Sequence, residues 1–115
     1  MIVLVVGAGR IGTKVLLQLQ KNPDIIVVTV DPRENPLALE QGVIQEVDYH
    51  NELTPRQLEE VLEQVKPDLV LVTTSGEDLG HSGVPGLDIL VEALRGELEA
   101  SSNVPIIAVS RTGTV

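Results

Sequence analysis

Short apolar runs alternate along the chain with segments whose apolar residues recur at helical spacing. Ile2–Val6, Ile25–Val30, Leu69–Val72 and Ile106–Val109 are nearly continuous apolar stretches, the pattern of parallel strands covered on both faces. Val43–Val47 alternates less cleanly, and its Gln45 and Glu46 suit a strand at a sheet edge. Between these runs the pattern predicts a helix over about Arg10–Lys21, closed by Asn22-Pro23, and a short one over Pro36–Gln41 with Gly42 just beyond its end. Thr54 reads as an N-cap with Pro55 in the first turn, and Leu58, Val61, Leu62 and Val65 then share one face until Lys66-Pro67 stops the helix. Leu87, Leu90, Val91, Leu94 and Leu98 mark a fourth helix.

Five strands and four helices therefore alternate with short connections, and right-handed crossovers fold such a chain into an α/β doubly wound parallel sheet. The turn after the first strand is Gly7-Ala8-Gly9-Arg10-Ile11-Gly12. Spacing G-x-G-x-x-G is weak evidence by itself. A buried strand before it, an amphipathic segment after it and an acidic residue, Asp31, at the end of the second apolar run give it the context of a dinucleotide-binding fingerprint. Gly7 permits the tight turn, Gly9 lets a pyrophosphate approach the backbone, and Gly12 lets the helix pack against the strand. The helix N-terminus offers amide groups and a partial positive charge to phosphates. The expected architecture is a five-stranded Rossmann-like sheet in the order 3-2-1-4-5, with nucleotide at the carboxyl ends where the order reverses.

Asp31 can accept hydrogen bonds from both ribose hydroxyls of an adenosine, which favours NAD or NADH; the lesser alternative is a turn residue ahead of Pro32. Arg33 could hold a 2′-phosphate. The carboxylate beside it would repel that phosphate, so NAD is preferred over NADP, with ATP, ADP and AMP left open.

Seventeen acidic against eight basic residues give a net charge of −9, which repels nucleic acid and anionic lipid. Tyr49 is the sole aromatic, so no base-stacking platform exists. Cys is absent, which excludes disulfides and thiolate chemistry and suits a reducing cytoplasm. The 115 residues fit one nucleotide-binding domain. The first strand begins at residue 2 without a basic leader, so no signal peptide is expected, and no apolar run is long enough to insert in a membrane.

Val6-Gly7-Ala8-Gly9-Arg10-Ile11-Gly12, Val30-Asp31, Val47-Asp48, Leu71-Val72-Thr73-Thr74 and Val104–Arg111 together resemble the nucleotide-binding lobe of potassium-conductance regulators, the RCK or TrkA N-terminal family. The resemblance spans nearly the whole chain, and much of it is common to small Rossmann domains. It implies a diphosphate site at Gly7, Gly9, Arg10, Ile11 and Gly12, ribose at Asp31, the adenine edge at Asp48, and Thr73 and Thr74 beside the ribose-phosphate. It also implies a regulatory sensor acting on a membrane transporter, although family members usually carry a further strand and helix.

No catalytic set is expected. His81, beside Asp78 and Ser82 in the glycine-rich stretch Ser75–Gly86, reads as an ordinary loop residue, because triads are recognised in space and not by adjacency. His50 and His81 form no ligand spacing, so no metal site is expected. Dehydrogenases of this fold append a substrate domain, which leaves a second class open: the cofactor-binding part of an oxidoreductase whose catalytic subunit is another chain. The apolar Ile106–Val109 strand, with little sequence after it to shield its edge, predicts a homo-oligomer, most simply a homodimer.

Overall fold

The computed structural model describes residues 1–52, 54–73, 96 and 104–109. Within them lie β1 (Ile2–Val6), α1 (Arg10–Leu19), β2 (Ile26–Val30), α2 (Leu37–Glu40), α3 (Pro55–Val65), β3 (Leu69–Val72) and β4 (Ile106–Ala108). The four strands form one parallel sheet in the order β2-β1-β3-β4. Register runs Val6↔Val30 on one side of β1 and Val6↔Val72 on the other, so three strands end at one level. That shared end carries the glycine turn.

Alternation along β1 divides the core. Leu4 and Val6 pack with Val30, Val70, Val72 and Ile106 against Leu58, Val61 and Leu62 of α3. Val3 and Val5 point the other way, into Val15 and Leu16 of α1 and Ala38 of α2. β1 is covered on both faces, as its continuous apolar run requires, and Val3 to Val6 are all at most 1% exposed.

The third strand expected, over Val43–Val47, does not form, so among the described residues the sheet has four strands in place of the five-stranded order 3-2-1-4-5. The reason lies in where that segment's amides go. Val43 and Ile44 both donate to the carbonyl of Ala38 (2.9 and 3.3 Å), which ties them to α2. Asp48 then meets the β2 edge with its side chain: Oδ2 accepts from the Thr29 amide at 2.9 Å, where a strand would offer a carbonyl. Tyr49 donates to Thr29 O and accepts from Asp31 N, making a single isolated bridge. The Thr29–Asp31 end of the edge is satisfied without a strand.

α2 ends as predicted, with Gly42 at φ 74° just past its last turn. α1 stops at Leu19, two residues short of the expected Lys21. Apart from residue 96, the predicted helix over 87–98 lies outside the described residues, as do the Ser75–Gly86 stretch with His81 and Thr74.

Candidate functional site

Gly7 leaves β1 with φ 98°, a conformation that L side chains rarely adopt. The turn that follows is pinned by four residues from three separate segments. Gly7 N–H donates to Val30 O at 2.8 Å, and Ala8 O accepts from Ala38 N–H at 3.0 Å. The buried hydroxyl of Thr73 lies 2.8 Å from Gly7 O and 2.9 Å from Val6 O, sharing its one proton between them. Ala8 N–H donates to Asp31 Oδ2 at 2.9 Å. A methyl at Gly12 would collide with the carbonyl of Gly7 and with Thr73 Oγ1, so the third glycine is needed for the helix to lie this close to the strand.

The helical ladder of α1 starts only at Thr13, whose amide and hydroxyl both donate to Gly9 O (2.8 and 2.6 Å). The amides of Gly9, Ile11 and Gly12 therefore stand ahead of the ladder, and no side chain caps the helix. Gly7 to Gly9 are buried, Ile11 is half-buried, and Arg10 opens to solvent. An uncapped helix start behind a pinned turn offers backbone donors and the positive dipole end to an anion.

Asp31 is the second half of the site. Its carboxylate is 1% exposed and accepts four hydrogen bonds. Oδ1 receives the Arg33 amide and Arg33 Nε, both at 2.9 Å; Oδ2 receives the Ala8 amide and, at 2.7 Å, Arg33 Nη2. Burial by itself would raise the pKa of this carboxyl, but the Arg33 guanidinium and the amides of Ala8 and Arg33 outweigh it and hold the group below its ordinary value. Arg33, expected as a candidate for a 2′-phosphate, is thus paired with the carboxylate that was expected to take the ribose.

The structure brings Gly7, Gly9, Gly12, Asp31, Arg33 and Thr73 together around the end of β1. It places Asp48, implied for the adenine edge, on the outer edge of β2 with its carboxylate engaged by the Thr29 amide and hydroxyl. His50 sits nearby, with Nδ1 3.1 Å from Arg33 O. Thr13 and Ala38 were missed. A threonine inside an otherwise apolar helix face was a readable signal for the first; Ala38 acts through its backbone amide and leaves no mark in the sequence.

No protein-family model matches the chain. Among curated proteins it is 31% identical over 109 residues to a formate-dependent phosphoribosylglycinamide formyltransferase of Polaromonas naphthalenivorans (strain CJ2), a match that covers 95% of this chain and 23% of that protein. Among solved structures, a dTDP-glucose 4,6-dehydratase of Bacillus anthracis str. Ames in complex with NAD has a TM-score of 0.59 at 19% identity, covering 100% of this chain and 42% of that one. A UDP-glucuronic acid 4-epimerase mutant of Bacillus cereus, in complex with NAD and UDP-4-deoxy-4-fluoro-glucuronic acid, has a TM-score of 0.56 at 24% identity, covering 100% and 44%. The chain therefore spans less than half the length of each of these proteins. They support a Rossmann-type fold, and none of the three is a potassium-conductance regulator. Among the described residues no helix is long and apolar enough to cross a membrane.

Proposed function

We propose that the chain is a nucleotide-binding module that takes the diphosphate of NAD at the Gly7–Gly12 turn. The observation that carries this reading is the uncapped start of α1, held behind a left-handed Gly7 at the shared carboxyl end of three parallel strands. Both solved structures named above are NAD complexes of this fold, which supports the choice of dinucleotide. Bound NAD would supply hydride chemistry through its nicotinamide; the residues described here would hold its phosphates and position its adenosine half.

Two roles fit a module of this kind. In the first, the RCK-like resemblance carries over and bound nucleotide biases the state of a partner, with no turnover. In the second, the chain is the cofactor-binding part of a larger enzyme whose substrate groups come from elsewhere. The comparisons favour the second at least equally, since all three relatives are enzymes of which this chain matches one part. A homodimer and a cytoplasmic setting belong to the same proposal.

Calorimetric titration of the wild type and Gly9→Ala with NAD, NADP, ATP, ADP and ribose 5-phosphate tests the binding claim. NAD should bind the wild type and be weakened at least tenfold, about 1.4 kcal/mol, in a Gly9→Ala variant of unchanged circular dichroism. Equal NAD affinity in the two proteins, or binding of ribose 5-phosphate without NAD, would sink it.

A further inference from the structure

The four hydrogen bonds on Asp31 have a consequence for how a nucleotide could be recognised. A carboxylate has about four acceptor positions, and here two backbone amides and two guanidinium nitrogens fill them. The bonds are of two kinds. Those from the Ala8 and Arg33 amides belong to the fold, since they fasten the glycine turn and the chain after β2 to one carboxylate. Those from Arg33 Nε and Nη2 come from a side chain that is 37% exposed and can swing into water. A ribose diol approaching Asp31 meets a fork of the same bidentate geometry already in place.

We propose that Arg33 is a specificity-determining residue that competes with the nucleotide ribose for the Asp31 carboxylate. This rests on the NAD-binding reading above. With the guanidinium seated, Asp31 has no acceptor to give, so the affinity for NAD is lowered by the fraction of time the pair is closed. The same pair neutralises the charge that would repel a 2′-phosphate, and a displaced guanidinium beside the ribose would attract one. Arg33 therefore narrows the preference for NAD over NADP from both directions. Asp31 keeps its structural bonds in either state, so the turn need not reorganise when Arg33 leaves.

The test is titration of the wild type, Arg33→Met and Arg33→Lys with NAD and NADP, with melting temperature as the check on folding. Methionine keeps the aliphatic stem and the backbone amide while removing the fork. For Arg33→Met the expected result is NAD binding about tenfold tighter, as for a pair closed roughly nine-tenths of the time, together with weaker NADP binding. Arg33→Lys, which cannot make the bidentate pair, should lie between for NAD and keep NADP. A structural role for Arg33 would move both ligands the same way. If the wild type binds NAD and Arg33→Met binds it equally or more weakly, the competition is overturned while the nucleotide site stands. If neither protein binds either dinucleotide, the nucleotide reading fails first and the competition goes with it.

Discussion

Two helices in this molecule begin in opposite ways. α3 completes itself locally: Thr54 Oγ1 accepts from the Gln57 amide at 3.4 Å and Pro55, which has no N–H to satisfy, occupies the first turn. α1 has a glycine at the capping position and no side-chain cap, and its start is held from outside by Val30, Asp31, Ala38 and Thr73. A helix that only had to fold would be served by the first arrangement. In the second, no side chain caps the first turn, while distant parts of the chain fix the backbone behind it. On the proposed function, that is the difference between an end built for stability and one built to receive an anion.

The largest expected effect lies in the packing behind α1. Gly12→Ala sets a methyl against the Gly7 carbonyl, and the backbone cannot yield without releasing the turn. Denaturant unfolding should show a loss of about 3 kcal/mol or more. No loss, or a gain of up to about 1 kcal/mol, the ordinary effect of a glycine-to-alanine change in a helix with space, would mean that α1 is not tightly seated.

Next comes the clamp on the turn. Asp31→Asn removes the charge that holds Arg33 and weakens the bond to Ala8, and should cost about 2 kcal/mol at neutral pH. The pKa of Asp31 is lower in the folded chain than in the unfolded one, so its contribution is present above the ordinary carboxylate range and is lost as the pH falls below about 4. Wild type and Asp31→Asn should therefore converge in stability on acidification. A gap that stays constant from neutral pH down to pH ~2 would assign the loss to packing and not to charge.

Smaller still is the cap on α3. Thr54→Ala should lower stability by about 1 kcal/mol and leave NAD affinity unchanged, because its cap makes no contact with the Gly7–Gly12 turn proposed to bind NAD. An equal loss of NAD affinity in Thr54→Ala and Gly9→Ala would erase the distinction between the two ends.

The difference between these helices was partly legible in the sequence. Thr54-Pro55 and the glycine spacing are local signals, and both elements appear where those residues stand. β1 and β3 were legible for a similar reason, since a continuous apolar run has few other fates. The segment Val43–Val47 was not, because its fate was settled by the carbonyl of Ala38 and by Asp48 reaching the β2 edge, neither of which an alternation pattern encodes. At the site, the glycines and Asp31 announced themselves by type and spacing. That Asp31 would be saturated by Arg33 did not, since two residues separated by one position can turn toward or away from each other, and only the backbone at the end of β2 decides.

On the proposed function, NAD is held at the start of α1 and not at any capped helix end. An amide-resolved NMR titration with NAD tests it most directly. The largest shifts should fall on Gly9, Arg10, Ile11 and Gly12, saturating together, while Thr54 to Leu58 stay still. Absence of shifts at saturating NAD, or shifts centred on the start of α3, would contradict it.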